Sequence, residues 1–134
     1  MGLAGGRPVD KPLLLLIEDE ALLAISLEAE LSEEGFEVVA ILDGINGMGE
    51  LDRDVSRFAA LVTDIRLPGT DGWAIGKRAR ELNPTLPVVY MSGDSGGDWH
   101  AYGVPGSIML SKPFASAQLI AAVANLINEV PPSA

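Results

Sequence analysis

Residues 59–72, which read Ala-Ala-Leu-Val-Thr-Asp-Ile-Arg-Leu-Pro-Gly-Thr-Asp-Gly, constrain the fold more than any other stretch of this sequence. A short apolar run bounded by turn residues suits a strand buried on both faces of a parallel sheet, and a run this short also fits a buried helix segment. Taken as a strand, it delivers one carboxylate, Asp64, to the start of a Pro-Gly loop. That carboxylate then stands at the strand's carboxyl end, the edge where open α/β sheets bind ligands and carry out chemistry.

The same design recurs along the chain. Leu13–Ile17 is apolar and runs directly into Glu18, Asp19 and Glu20. Three acids at the end of a buried strand are costly unless something binds them. Over residues 20–34, Leu23, Leu27 and Leu31 recur every four positions and Gly35 supplies a stop, which predicts a helix. Leu22, Ile25 and Ala29 make a second apolar stripe beside the first, wider than one core face needs. Scattered exposed apolar residues are ordinary, and the sharper reading of this stripe is a docking face. Residues 36–42 read as a strand. Residues 43–57 read as the weakest helix, because Gly44, Gly47 and Gly49 each lower helical propensity by about 1 kcal/mol relative to alanine. A helix over 71–82 follows the central run, with Asp71 as its cap and Asn83-Pro84 as its end. A strand over 86–91 stops at Ser92-Gly93-Asp94. The short helix expected over 95–102 is crowded by Gly96, Gly97 and Gly103 and should be the most labile element. A strand over 107–110 ends in Ser111-Lys112-Pro113, and a helix over 115–129 closes before Pro131-Pro132. Five strands alternating with five helical segments make an α/β protein, a doubly wound parallel sheet with helices on both faces.

A chain of 134 residues has room for one domain with a real core. Residues 1–12, rich in Gly, Ala and Pro, are expected to form a flexible leader, residues 13–130 the domain, and residues 131–134 a tail. The net charge of −10 disfavours nucleic acid and anionic membranes as partners, and the nine basic residues do not cluster. Without cysteine there is no disulfide framework and no thiol chemistry. Uninterrupted apolar runs such as Leu13–Ile17 are far short of a membrane span, so a soluble, cytoplasmic protein is expected.

The polar residues that follow the strands define one site. Glu18 and Asp19 follow the first strand, Asp64 ends the third, Ser92 the fourth and Lys112 the fifth, and parallel connectivity gathers these ends on one edge. Carboxylates a few ångströms apart repel, which raises the pKa of at least one unless a cation neutralises them. An all-oxygen cluster without His or Cys suits a hard divalent ion such as Mg²⁺. A carboxylate beside such an ion, one hydroxyl and one ammonium make the equipment for phosphoryl transfer to the carboxylate itself.

The order Glu18-Asp19, Asp64, Ser92, Lys112-Pro113 in these strand contexts resembles the receiver domain of two-component response regulators, over about residues 13–129. The resemblance implies a flavodoxin/CheY-like fold with strand order 2-1-3-4-5 and five flanking helices. It implies that Asp64 accepts phosphate from a histidine kinase or a histidine phosphotransfer protein. Glu18, Asp19, Asp64 and the backbone carbonyl of Arg66 would hold Mg²⁺, Ser92 would bind a phosphoryl oxygen, and Lys112 would contact Asp64 or its phosphate. A cis Lys112-Pro113 bond is also implied. The chain would then be a switch acting on a downstream protein without an output domain of its own, and not a turnover enzyme on an external substrate. A phosphate shuttle, or a phosphate-independent interaction module, are the alternatives; an aspartyl phosphatase is opposed by Arg66, where such enzymes carry a second acid. Two positions depart from the family: Glu18 is one methylene longer than the usual Asp, and Met109 stands where the family has an aromatic switch residue, with Ser92 as its counterpart. Arg66 and Asp94, two residues after Asp64 and Ser92, are hypothesised to pair over the phosphoryl group and slow its hydrolysis. His100 reads as a surface residue, and Trp73 and Trp99 as packing or partial surface contacts.

Overall fold

The computed structural model describes residues 11–94 and 96–130, so the expected leader and tail fall almost entirely outside the described residues. The elements are β1 (Leu13–Ile17), α1 (Ala21–Glu33), β2 (Glu37–Ile41), α2 (Gly44–Asp54), β3 (Ala60–Asp64), α3 (Gly72–Leu82), β4 (Val88–Ser92), α4 (Trp99–Tyr102), β5 (Ile108–Ser111) and α5 (Ser116–Glu129). Two short 3-10 turns, Val55–Arg57 and Gly96–Asp98, follow α2 and precede α4. All strand pairings are parallel and the sheet order is β2-β1-β3-β4-β5.

Every expected strand and helix is present, and the differences lie at the ends. β4 begins at Val88, two residues later than the apolar run, because Pro87 has no N–H to donate to a ladder. Its carbonyl instead accepts from Leu61 N at 2.9 Å. β5 begins at Ile108, since the Ser107 N–H donates to the Val104 carbonyl at 3.2 Å and closes a turn there. The Gly-rich α2 forms with Asp43 as its cap, the Asp43 side chain accepting from Asn46 N at 2.8 Å. Asp71 caps α3 in the same way, through Ala74 N at 2.8 Å.

Two apolar layers sandwich the sheet. On one face Leu14, Leu16, Val62, Val89 and Met91 meet Leu27 and Leu31 of α1 and Leu119, Val123 and Leu126 of α5. On the other, Leu15, Ile17, Leu61, Val88 and Tyr90 meet Leu51 of α2 and Ile75 and Ala79 of α3. β3 and β4 are buried along their whole length, as the central strands of a doubly covered sheet must be. Their carboxyl ends, with that of β1, are therefore fixed in position by packing on both sides, and the half-buried edge strand β5 is paired to β4 beside them.

Candidate functional site

Each candidate side chain stands where a strand of the sheet runs out. Glu18 follows β1, Asp64 ends β3, Ser92 ends β4, and Lys112 follows β5. Carboxylate oxygens of Glu18, Asp19 and Asp64 lie within 4.8 Å of one another. Lys112 closes the group: its Nζ is 2.7 Å from Glu18 Oε1 and 2.6 Å from Asp64 Oδ1. The Lys112-Pro113 peptide is cis, and Lys112 N donates to the Ser92 carbonyl at 2.8 Å, tying the β4 and β5 ends together.

The two buried acids differ in their surroundings. Glu18 is fully buried yet supplied with donors, since Oε2 accepts from Glu20 N at 2.9 Å and Oε1 from Lys112. Asp64 is 3% exposed, and neither of its oxygens accepts a hydrogen bond; the Lys112 contact is an ion pair without hydrogen-bond alignment. Burial, then the neighbouring Glu18, pushes the Asp64 carboxyl up to about 8, against the pull of Lys112. Burial also acts to raise Glu18, but its contacts with Asp64, Lys112 and the Glu20 amide outweigh this and hold it below its ordinary value. Burial works against the Lys112 ammonium as well, and the Asp64 and Glu18 carboxylates more than reverse it. The pair thus resists carrying two negative charges, and Asp64, the acid without hydrogen bonds, is the one that gives way.

Asp64 opens onto a cavity of about 240 Å³ lined by Asp19, Arg66, Ser92, Gly93, Asp94 and Lys112. Asp19 is exposed at its rim, next to the buried pair. Two unsatisfied oxygens in an all-oxygen cluster, with an open cavity in front, fit a hard divalent cation that keeps waters. Across the mouth, Arg66 Nε and Asp94 Oδ1 pair at 3.1 Å. Met109 is half-buried beside Tyr90 on the α3 side of the sheet and is not among the residues lining the cavity. His100 is exposed, Trp73 packs 4.8 Å from the Tyr90 ring, and Trp99 Nε1 donates to Ser107 Oγ at 2.9 Å. Leu22 and Ile25 of the second α1 stripe are 80% and 63% exposed. Tyr90, fully buried in β4 two residues before Ser92, is not singled out by the sequence; a tyrosine inside an apolar strand gives no signal beyond core.

A parallel 2-1-3-4-5 sheet carrying three carboxylates and a lysine on its carboxyl edge defines a flavodoxin-like α/β protein of the CheY-like kind. Residues 14–124 match the response regulator receiver domain, and the chain belongs to that family, a component of two-component signal transduction. A response regulator receiver protein from Sinorhizobium medicae superposes with a TM-score of 0.87 at 41% identity, covering 91% of this chain and 98% of that one. The receiver domain of a sensor histidine kinase from Pseudomonas aeruginosa, with a magnesium ion coordinated in its active-site cleft, gives a TM-score of 0.78 at 26% identity, covering 90% and 100%. Among curated relatives, the transcriptional regulatory protein PrrA of Mycobacterium tuberculosis is 31% identical over 122 residues, 90% of this chain and 52% of its own length. The chain spans about half the length of the curated relatives it matches. No described helix is long and apolar enough to cross a membrane.

Proposed function

We propose that the chain accepts a phosphoryl group on Asp64 from a histidine kinase or histidine phosphotransfer protein and passes the change on to a downstream protein. The observation that carries this reading is Asp64 itself: a buried carboxylate whose oxygens accept no hydrogen bond, facing a cavity, with an ammonium at 2.6 Å. An Asp64 oxygen attacks phosphorus, the O–P bond forms as the donor's N–P bond breaks, and the electron pair leaves on the imidazole nitrogen. Lys112 holds Asp64 in place and neutralises phosphoryl charge as it arrives, and the Ser92 hydroxyl donates to a phosphoryl oxygen. Glu18, Asp19, Asp64 and the Arg66 carbonyl would hold Mg²⁺, which supplies charge neutralisation for the transferring group. Glu18, being fully buried and engaged by Lys112, would reach such an ion through water. The acyl phosphate is returned to carboxylate by hydrolysis, so Asp64 is a modified residue and not the nucleophile of an enzyme with its own external substrate.

The phosphodonor surface follows from continuity with this pocket. A groove of about 550 Å³ between α1 and the loop before α5 is lined by Leu23, Leu27, Lys112, Pro113 and Phe114. Lys112 belongs to both groove and acid pocket, and the exposed Leu22 and Ile25 lie on the helix that forms the groove wall. A donor helix laid there places its histidine beside Asp64.

Intact mass after incubation with Mg²⁺ and acetyl phosphate tests the reading. A single phosphate adduct is expected, lost on chelation and absent from Asp64→Asn. An adduct that survives in Asp64→Asn, or no adduct even with a cognate phosphodonor, refutes it and leaves a phosphate-independent interaction module.

A further inference from the structure

Helix α4 is one turn, and its fastenings lie on its carboxyl side. Tyr90, fully buried in the middle of β4, accepts with its Oη from Val104 N at 3.2 Å. Trp99, the first residue of α4, donates from Nε1 to Ser107 Oγ at 2.9 Å, and Ser107 Oγ donates to the Val104 carbonyl at 2.6 Å. These bonds converge on the segment between α4 and β5. The Tyr90 hydroxyl reaches that segment because α3 has Gly76 beneath it: a methyl group at that position would overlap the Tyr90 hydroxyl. The neighbouring β5 residue in register, Met109, brings only a weak thioether acceptor to this region.

Two residues beyond Tyr90, the same strand ends in Ser92, whose Oγ accepts from Asp94 N at 3.2 Å and which lines the Asp64 cavity. One rigid, doubly buried strand therefore carries both the hydroxyl of the pocket and the anchor of α4. We propose that Tyr90 and Trp99 form a latch holding α4 in its resting position, and that phosphorylation of Asp64 opens this latch through the Ser92 loop. The inference rests on the reading of Asp64 as phosphoacceptor. A phosphoryl oxygen that engages the Ser92 hydroxyl draws the carboxyl end of β4 toward Asp64. Helix α4 follows it, and the directional bonds to Tyr90 and Ser107, at 3.2 and 2.9 Å, cannot. A bond made only in the resting state holds the equilibrium there, and by reciprocity it weakens binding of anything that favours the other state. The exposed Tyr102, 61% accessible at the end of α4, would be the group carried to a new position.

Tyr90→Phe keeps the ring and removes the hydroxyl, so it releases one hydrogen bond, worth about a two- to tenfold change in the equilibrium. The test uses the full chain with beryllofluoride and Mg²⁺ as a phosphoryl stand-in. The two tryptophans give two indole N–H resonances, and the one displaced by Ser107→Ala belongs to Trp99. Beryllofluoride is expected to move that resonance, and Tyr90→Phe to bind beryllofluoride about two- to tenfold more tightly than wild type. Should Tyr90→Phe not fold, Ser107→Ala, which cuts the Trp99 bond, is expected to tighten binding in the same direction. An unmoved Trp99 resonance at saturation, or a folded Tyr90→Phe that binds no more tightly, overturns the latch while leaving Asp64 as phosphoacceptor. A wild-type protein that takes neither beryllofluoride nor phosphate overturns that underlying reading and the latch with it.

Discussion

Replacing Asp64 by Asn should stabilise the metal-free protein. Burial, and then the neighbouring Glu18, push the Asp64 carboxyl from its ordinary 3.8 up to about 8, against the pull of Lys112. At pH 7 the unfolded chain ionises this group freely, while the folded protein resists by about three pKa units, or about 4 kcal/mol at most. The realised gain is smaller, since the Asn amide must find partners in the same pocket and Lys112 must settle on Glu18 alone; about 1–3 kcal/mol is expected. That corresponds to a rise in Tm of roughly 3–6 °C per kcal/mol for a domain of this size. Urea unfolding at pH 7 in EDTA, followed by circular dichroism, measures it. The pH dependence has a definite sign. A folded pKa raised above the unfolded one makes a contribution fully present below about pH 4 and lost as pH rises toward about 8. Glu18, held below its ordinary 4.5, works the other way, its contribution being lost on acidification through that lower range. Between about pH 5 and 8 the wild type in EDTA should therefore lose stability, and Asp64→Asn should stay nearly flat. Mg²⁺ at ten times its dissociation constant should return about 1.4 kcal/mol to the wild type and little to the variant. An Asn variant no more stable than wild type in EDTA at pH 7 would refute the premise that Asp64 is held ionisable at a cost to the fold.

Lys112→Ala leaves two buried acids without their shared cation and should destabilise the domain by about 3 kcal/mol at pH 7, read from the urea midpoint; a loss under about 1 kcal/mol would mean that water replaces the ammonium. Arg66→Ala opens an exposed ion pair and should leave the melting temperature nearly unchanged while shortening the lifetime of phosphorylated Asp64, followed by mass spectrometry in time; an equal lifetime removes Arg66 and Asp94 as a lid over the pocket.

The parts of the molecule legible in the sequence are those where local chemistry and global packing agree. Apolar runs that give way to Asp64, Ser92 and Lys112 announce the parallel strands and the edge that gathers their polar residues together, because strands covered by helices are mostly apolar along their length and turn charged where they leave the sheet. Asp71 and Gly35 mark helix ends for equally local reasons, Asp71 by accepting from Ala74 N and Gly35 by a φ of 95°. Helix α2 was harder to see because its glycines answer to tertiary packing: a methyl group on Gly47 would overlap the Ile17 side chain of β1, so the residue that weakens the helix is the one that lets it approach the sheet. Tyr90 was invisible for the opposite reason, since a single hydroxyl in a five-residue apolar strand leaves the pattern unchanged and its partner, Val104, lies 14 residues on. The resistance of Asp64 to ionisation is likewise absent from the sequence pattern, because it depends on how deeply the carboxyl is buried and on Glu18, 46 residues earlier, standing beside it.

Lys112 and Glu18, which touch at 2.7 Å, are 94 residues apart in the chain. A polypeptide emerging from the ribosome displays Glu18, Asp19 and Asp64 long before Lys112 exists, so the acids meet without their counter-charge until the fifth strand docks. Chemical competence is then an all-or-nothing property of the finished chain. A fragment cut between residues 64 and 112 would retain the Asp64 carboxylate and lack the cation that stands against it in the finished fold.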